Sequence, residues 1–537
     1  MSQCIEIYDT TLRDGSQGEG VSFSVADKLN ITRELDAFGI HYIEGGWPGS
    51  NPKDVEYFQA VRKIKLRHAR IAAFGSTRHA KNTPAGDHNL RMLVAAKTPV
   101  VVIFGKSWDL HVRDALRVTL DDNLRMISSS VKFLKQRVPR VFFDAEHFFD
   151  GYRAHADYAL RTLEAALEAG ADALVLCDTN GGSLPDDIRN ATAAVVTRFG
   201  SHAVIGIHTH NDSGLAVANT LAAVAAGARH VQGTINGLGE RTGNADLTQI
   251  IPSLELKLGF RTVGSDKLRR LTETSRVIYE IANLPMRDNQ PFVGRSAFAH
   301  KGGVHVSAVS RNPLTYEHIK PETVGNERRI LVSELSGRSN ILACSPIDLS
   351  KQPDTMKEVL QRIMEMEKRG YAFENATASF DLLVRKAAGI YTPRFRLESF
   401  RVVSEGGADG RRISEATVKV RINGELLHTV SEAEHGPVSA LDQALRKALT
   451  PRFPCLADFR LVDYKVHIVN AQAAAEAKVR VVIESADRTA CWGTVGVSDN
   501  IIEASCEALV DSLEYMLLRS LGRGDKGGRR ISKGRRA

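Results

Sequence analysis

Two histidines that lie two residues apart are the clearest chemical signal in this sequence. They occur in IHTHND, residues 207–212, at the end of an apolar run. If this run is a β-strand, the side chains of His208 and His210 leave the same face and can converge on one ion. A site of nitrogen and oxygen ligands without a thiolate suits Mg²⁺, Mn²⁺ or Zn²⁺, with positions open for substrate and water. The spacing therefore predicts a metal site, and the alternative is a structural pair of histidines that caps a strand.

Short β-rich runs recur through roughly the first half of the chain, and each is followed by a polar segment and a helical stretch. Eight such runs can be read, namely CIEIYDT, HYIEGGW, RIAAFGS, VVVIFGK, RVFFDAE, ALVLCDT, AVIGIHT and HVQGTIN. Three helical stretches end in Gly39, Gly170 and Gly227, where a left-handed residue would close the helix before the next strand. Apolar strands that alternate with helices predict an α/β fold, a (β/α)₈ TIM barrel, with an open doubly wound sheet as the alternative.

Barrel enzymes carry their reactive groups where the strands end. Polar residues are concentrated at these positions, namely Asp9, Arg13, Asp14, Glu44, Asp144, Glu146, His147, Asp178, Thr179, Asn180, His208, His210, Asn211, Asp212, Asn236, Glu240, Arg241 and Asn244. Asp14 is the carboxylate best placed to join the two histidines, and Asn244, in GERTGNAD, could add a carbonyl oxygen. Because a carboxylate and an arginine occur together at a neighbouring strand end, a metal site is favoured over structural histidines.

The motifs YDTTLRDGSQ and IHTHND together resemble the acyl-transferring synthases that condense acetyl-CoA with a 2-oxo acid: the 2-isopropylmalate, homocitrate and citramalate synthases. The resemblance runs from about residue 4 to about residue 518 and includes GLGERTGNAD, FAHKGGVHVSA at 298–308 and SELSGRSN at 333–340. YDTTLRDGSQGEGVSFS and IEGGWPGSNPKD are most similar to citramalate synthases, which use pyruvate. The resemblance implies formation of (R)-citramalate and coenzyme A, the first step of the pyruvate route to isoleucine. The alternative is a 2-isopropylmalate synthase, which uses 2-oxoisovalerate in leucine synthesis.

The resemblance also implies how the 2-oxo acid is bound. The residues that match the family's metal ligands are Asp14, His208, His210 and Asn244. The implied cofactor is a divalent metal, Mn²⁺ or Mg²⁺ or else Zn²⁺, which would polarise the keto carbon. Arg13 would add positive charge where an alkoxide develops, and Thr179 would hold the substrate carboxylate. The alternatives are a salt bridge across the barrel mouth for Arg13 and a turn hydroxyl for Thr179.

Three further residues match catalytic positions of the family. Glu146 matches an acid near the substrate. His305, in HKGGVHVSA, matches the histidine proposed to remove a proton from the acetyl methyl group, and Tyr316, in NPLTYEHI, matches the tyrosine that accompanies it. A histidine suits this role because its unperturbed pKa lies near neutrality. Both residues lie outside the barrel, and His300 is an equally polar neighbour.

Aromatic residues after the fifth predicted strand bear on substrate size. In FFDAEHFFDGY, the side chains of Phe148, Phe149 and Tyr152 could restrict the substrate to one with a methyl group. The alternative is that these rings belong to the hydrophobic core.

The sequence predicts four segments: a catalytic barrel (1–290), a helical linker that includes KEVLQRIMEMEKRG (291–392), a C-terminal α+β domain (393–518) and a tail (519–537). The C-terminal domain shows an internal repeat of three strands and a helix. The resemblance implies that the linker closes over the active site, often that of a partner subunit, so that the protein is a homodimer. It also implies an isoleucine effector site in the C-terminal domain, for which we choose the loops at 436–438 and 496–502.

Most of the net charge of +8 lies at the C-terminal end. Residues 519–537 hold eight basic residues and one acid, Asp525, so the rest of the chain is nearly neutral. This composition predicts a disordered basic tail, with weak contact to RNA or another polyanion as the alternative and no specific nucleic-acid site. The chain has neither an apolar run of about 18 residues nor a signal-peptide pattern, and its six cysteines form no CxxC pair. We therefore expect a cytoplasmic protein with reduced thiols that does not bind a membrane.

Two rival functions can be weighed from the sequence. A lyase of the same barrel superfamily would carry a catalytic cysteine in the loop after strand eight, but that loop is GLGERTGNAD and has none. A non-catalytic regulator would need the metal ligands but no base. Because Arg13, Glu146, His305 and Tyr316 all match catalytic positions, an acyltransferase is favoured over both.

Overall fold

The structure, a computed structural model, describes residues 3–332, 338–406, 412–469 and 477–527. The chain divides into two compact units. The first comprises Met1–Phe298 and His318–Arg328, and the second comprises Ala299–Glu317 and Arg329–Ala537. Among the described residues, none of the helices combines the length and the hydropathy that crossing a bilayer requires.

The first unit contains a closed barrel of eight parallel strands, as the sequence predicts. The strands are β1 (Glu6–Asp9), β2 (Tyr42–Gly46), β3 (Arg70–Ser76), β4 (Val100–Lys106), β5 (Arg140–Glu146), β6 (Ala173–Asp178), β7 (Val204–Thr209) and β8 (His230–Gly233). Each strand pairs with the next, and β8 pairs with β1, where Ile7 lies opposite Val231. Each of the eight runs read from the sequence contains one of these strands.

The helices of the first unit connect the strands and continue after β8. The main ones are Val25–Phe38, Pro52–Val61, His88–Ala95, Leu120–Lys135, Phe148–Glu168, Pro185–Phe199, Ala216–Ala225, Leu247–Leu256 and Leu271–Ile281. Ser24 begins the first of them with a capping box, in which its hydroxyl accepts a hydrogen bond from the Asp27 N–H at 3.1 Å. Gly39, Gly170 and Gly227 have φ values of 98°, 101° and 115°, so the predicted left-handed helix endings are present.

The barrel has two hydrophobic clusters, one outside its strands and one inside. Both exist because successive residues of a strand face opposite sides. The larger cluster lies between strands and helices and includes Ile7, Ile103 and Leu174. The smaller cluster fills the inside of the barrel with Tyr8, Tyr42, Ala72, Phe74, Val100, Val102, Phe142 and Ala173.

A polar network occupies the barrel where its strands begin. Glu6, Tyr42, Arg140 and His230 are the first residues of β1, β2, β5 and β8. The Tyr42 hydroxyl donates to Glu6 Oε1 at 2.9 Å, and His230 Nδ1 lies 3.3 Å from Glu6 Oε2. Burial raises the pKa of Glu6, but His230, Tyr42 and Arg140 outweigh burial and lower it to about 2. Glu6 is therefore ionised, and the four side chains close this mouth of the barrel.

The second unit begins with helices and short strands. β9 (Ala299–His300) pairs with β10 (Arg329–Ile330), and the helices are Gly303–Arg311, Arg338–Cys344, Pro353–Lys368 and Thr377–Ala387. The helix predicted for KEVLQRIMEMEKRG lies mostly within Pro353–Lys368, whose side chains Met356, Val359 and Ile363 are buried.

The C-terminal part of the second unit contains the predicted repeat. β11 (Arg396–Gly406), β12 (Arg412–Ile422) and β13 (Glu425–Ala433) form one antiparallel sheet, followed by the helix Pro437–Leu449. β14 (Arg460–Ile468), β15 (Val479–Ala486) and β16 (Cys491–Ser498) form the second, followed by the helix Ile501–Gly527. The sheets are separate, but Val418 of the first and Ile483 of the second belong to one hydrophobic cluster, so the repeats share a core.

The structure differs from the predicted segments at two places. The last helix continues to Gly527, so residues 519–527 of the predicted disordered tail are helical, in continuation of turns that bury Leu513 and Leu517. Residues 528–537, and residues 333–337 of SELSGRSN, lie outside the described residues. The first unit also continues past residue 290 and takes in His318–Arg328, because Asn326 donates hydrogen bonds to the carbonyls of Phe292 and Gly294.

Candidate active site

Asp14, His208 and His210 converge where the barrel strands end. Asp14 follows β1, His208 lies on β7 and His210 directly follows it. The Nε2 atoms of His208 and His210 lie 3.8 and 4.0 Å from Asp14 Oδ2. The three side chains are buried, and one ligand atom of each lies within 4.8 Å of the others, as ligands of one ion must.

Asn244, the fourth predicted ligand, is bonded to Asp14. Its amide nitrogen donates to Asp14 Oδ1 at 2.9 Å. Its carbonyl oxygen, Oδ1, is buried and has no hydrogen-bond partner in the part of the chain that the structure describes. A buried oxygen without a donor is costly, and a cation beside it would remove this cost. The residues therefore fit a metal ion.

The protonation states of the cluster also suit a divalent cation. Nδ1 of His208 lies 2.8 Å from the side-chain oxygen of Gln232, so Nδ1 carries a hydrogen and Nε2 is the ring nitrogen that faces Asp14. Burial, together with His208, lowers the pKa of His210 to about 4, which keeps this imidazole neutral. Burial raises the pKa of Asp14, but Arg13 and the two histidines hold it well below its usual range. The cluster thus offers one carboxylate, the neutral imidazole of His210, the Nε2 atom of His208 and one amide oxygen.

Gln232 is a supporting residue that the sequence did not indicate. It lies on β8, accepts the hydrogen of His208 Nδ1 and donates to Asp144 Oδ1 at 3.2 Å. Replacing Gln232 with leucine removes the acceptor that fixes the His208 tautomer. We expect the affinity for Mn²⁺, measured by calorimetry, to fall about 10- to 100-fold. Gln136→Leu, on an exposed helix end, is the matched control, and an equal affinity in both variants would contradict this role.

Arg13 is held by three contacts beside the cluster. Its Nη1 donates to Asp14 Oδ2 at 2.9 Å, and its Nε donates to Glu44 Oε1 at 2.5 Å. Its guanidinium lies 3.7 Å from the centroid of the Phe74 ring. The predicted alternative, a salt bridge at the barrel mouth, is thus present and leaves Arg13 facing the cavity. The Glu44 carboxylate also accepts hydrogen bonds from the hydroxyls of Tyr8 and Thr10. In the sequence, the position of Glu44 at a strand end was the one sign that it belongs to the site.

A cavity of about 210 Å³ joins these groups to two other predicted residues. Its lining includes Arg13, Asp14, Glu146, Thr179, His208 and His210. Glu146 forms an ion pair with Lys106, and the Thr179 hydroxyl accepts a hydrogen bond from the His147 N–H at 2.9 Å. Cys177 also lines the cavity, but burial raises its pKa well above the usual value, so it is not a thiolate nucleophile.

The aromatic lining of the cavity differs from the prediction. Phe148 and Phe149 belong to the hydrophobic core, and Tyr152 packs on Phe148 at a centroid distance of 5.6 Å, so of the two interpretations of these rings the core is the one present. They lie in the helix Phe148–Glu168, which packs on the outside of the barrel. The rings that line the cavity are Trp47, Phe74 and Phe104, which come from three neighbouring strand ends. The sequence could have indicated these three rings as lining residues, because they lie on or just after β2, β3 and β4.

His305 and Tyr316 belong to the second compact unit. Their rings stack at a centroid distance of 4.1 Å, and both side chains are exposed. His300, the alternative base, is buried and lies 3.1 Å from Glu317, which gives it a structural contact. Of the two histidines, His305 therefore has the more accessible ring.

Comparison with known proteins supports the resemblance along the chain. Residues 4–278 match the HMGL-like family, 292–371 match the homocitrate synthase post-HMGL domain-like family, and 374–517 match the LeuA allosteric (dimerisation) domain. The (R)-citramalate synthase of Geobacter sulfurreducens is 54% identical over 96% of this chain and 98% of its own. That of Aquifex aeolicus is 54% identical over 97% and 99%. A probable 2-isopropylmalate synthase of Methanopyrus kandleri is 32% identical over 97% and 99%. The chain therefore belongs to the HMGL-like family, in the group of the 2-isopropylmalate, homocitrate and citramalate synthases.

Proposed function

We propose that this protein is an (R)-citramalate synthase. It joins the methyl carbon of acetyl-CoA to the keto carbon of pyruvate and hydrolyses the thioester, with citramalate and coenzyme A as products. The identity of 54% to (R)-citramalate synthases over nearly the whole chain supports this substrate pair over 2-oxoisovalerate. The observation that carries the chemistry is the convergence of Asp14, His208, His210 and the unpartnered oxygen of Asn244 beside Arg13.

The site would bind the 2-oxo acid through a metal and two protein groups. A divalent ion held by Asp14, His208, His210 and Asn244, Mn²⁺ or Mg²⁺ or else Zn²⁺, supplies a Lewis acid for the keto group. Arg13, fixed by Glu44 and Asp14, places positive charge where the keto oxygen becomes an alkoxide. The Thr179 hydroxyl faces the substrate carboxylate, and Trp47, Phe74 and Phe104 exclude water and limit the size of the acceptor.

Carbon–carbon bond formation needs proton transfer at the acetyl group. His305 takes a proton from the methyl group, with Tyr316 stacked on its ring, and the resulting carbanion attacks the keto carbon. The alkoxide that forms beside Arg13 takes up a proton. Water then attacks the thioester carbonyl, and coenzyme A leaves as the thiol. Glu146, paired with Lys106, lines the same cavity and is the acid that we assign to these steps.

We also propose a homodimer with isoleucine as effector. The match to the LeuA allosteric (dimerisation) domain supports a dimer and an effector site, and isoleucine is chosen as the end product of the proposed route. The sheets carry exposed apolar side chains such as Leu426, Val462 and Ile468 that a second copy would cover. Residues 436–438 and 496–502 include the first residues of the two C-terminal helices, and 496–502 also includes the end of β16, so both lie at equivalent positions of the repeat. Activity that is unchanged by isoleucine and by leucine would leave this domain a structural role alone.

The test is release of coenzyme A from acetyl-CoA with pyruvate, 2-oxobutyrate, 2-oxoisovalerate or 2-oxoglutarate, each with Mn²⁺ and with EDTA. We expect the highest kcat/KM with pyruvate, citramalate as product and loss of turnover in EDTA. A preference for 2-oxoisovalerate would keep the mechanism and make the protein a 2-isopropylmalate synthase. No release with any 2-oxo acid would overturn the synthase assignment.

A further inference from the structure

The Thr179 hydroxyl is oriented by the backbone of a neighbouring loop. It accepts the His147 N–H at 2.9 Å, and within the described residues this is its one hydrogen bond. A hydroxyl has one hydrogen and two lone pairs, so an N–H that occupies a lone pair leaves the hydrogen available as a donor. The Thr179 carbonyl is held as well, since Arg241 donates to it at 2.8 Å. Thr179 is therefore set to donate to an anion in the cavity.

His147 holds its N–H in place by an unusual backbone conformation. It lies between β5 and the helix Phe148–Glu168, with φ 57° and ψ 35°. This is the left-handed region, which residues other than glycine adopt uncommonly, although asparagine, aspartate and histidine do so more often than the rest. Such a conformation persists where the surroundings hold the residue, and it is found preferentially at functional sites.

The imidazole of His147 supplies that hold. Its ring packs against His111 at a centroid distance of 4.0 Å and against Trp108 at 5.8 Å. On another side, His147 Nδ1 lies 3.4 Å from Asp150 Oδ2, which also accepts from Asn180 at 3.0 Å. Because Asn180 follows Thr179 in the chain, Asp150 provides a second connection between the segment around His147 and the segment around Thr179. The side chain is 8% exposed, so it has little freedom to turn away.

We propose that His147 is a positioning residue for the 2-oxo acid: its buried imidazole keeps the backbone left-handed, and the backbone N–H then orients the Thr179 hydroxyl toward the substrate carboxylate. This inference rests on the proposed function, because it takes Thr179 as the group that receives that carboxylate. It assigns a role to a histidine that makes no direct contact with the substrate.

The experiment is a double-mutant cycle between His147 and Thr179 in the metal-loaded full-length protein. The Kd of pyruvate is measured by calorimetry, and KM and kcat are measured by release of coenzyme A. H147A keeps the N–H but loses the imidazole and disfavours positive φ, so we expect Kd and KM for pyruvate to rise about fivefold, with kcat and the KM of acetyl-CoA within about twofold of wild type. H147N and H147G, whose backbones accept the left-handed region, should stay within about twofold.

The coupling between the two residues separates positioning from general damage. T179A should raise the Kd of pyruvate about tenfold, and T179A/H147A should match T179A, because the N–H then has no hydroxyl to orient. If H147A does not fold, as judged by circular dichroism, H147Q takes its place in the cycle.

The positioning role would be overturned if the effects of H147A and T179A on the Kd of pyruvate were additive, or if the Kd in H147A equalled that of wild type. In either case, active wild-type protein would leave the proposed function standing. Wild-type protein that neither binds pyruvate nor releases coenzyme A would overturn both.

Discussion

Replacing Asp14 with asparagine should abolish metal binding and lower coenzyme A release by about 1,000-fold or more, which corresponds to about 4 kcal/mol of transition-state stabilisation. Asp14 accepts hydrogen bonds from Asn244 and from Arg13. Asparagine keeps the size of the side chain but removes the negative charge. The metal would then face two histidines and two amides, with no carboxylate among its ligands and with Arg13 close by. Metal content after dialysis and turnover with pyruvate are the two measurements.

The control for this variant is Asp186→Asn. Asp186 is exposed and pairs with Arg189 at 3.0 Å on the surface, so its loss should have little effect. Normal metal content and turnover in the Asp14 variant would show that the buried cluster is a structural polar network, and would return the two histidines to the role of strand caps.

Replacing His305 with alanine should lower kcat about 100- to 10,000-fold, the usual contribution of a general base. Metal content should remain that of wild type, because the cluster of Asp14, His208 and His210 lies in the other compact unit. Proton removal should be slow enough in this variant to limit the rate. The isotope effect on kcat, measured with acetyl-CoA that carries a trideuterated methyl group, should therefore be larger in the variant than in wild type.

His202→Ala is the matched control for the base, since His202 is exposed on a barrel loop and contacts Ser201. Two results would remove His305 from the mechanism: wild-type turnover in the alanine variant, or reduced turnover with an unchanged isotope effect. The second would indicate that the residue binds the thioester and does not remove the proton.

The sequence predicted the barrel and the metal cluster because both depend on regular patterns. Apolar runs that alternate with helices specify the strand order, and residues at strand ends meet at one mouth whatever the details of packing. Asp14, His208, His210 and Asn244 could therefore be placed together before their distances were known. His208 and His210 needed only the two-residue period of a strand.

Other site residues depend on geometry that local sequence does not encode. Gln232 meets His208 because of the pairing between β7 and β8, in which these two residues lie opposite each other. The sequence left Phe148 and Phe149 between pocket and core, and the structure places them in the core because a helix begins at Phe148, directly after the end of β5. His147 acts through its backbone, so its residue type gave no sign of its contact with Thr179.

The network of Glu6, Tyr42, Arg140 and His230 determines how molecules can travel to and from the site. Because these side chains fill the mouth where the strands begin, traffic to the cavity passes through the mouth where they end. The proposed 2-oxo acid and the bulkier thioester would then share this one entrance. A thioester that binds first would obstruct the buried cluster, so turnover would depend on the supply of the 2-oxo acid.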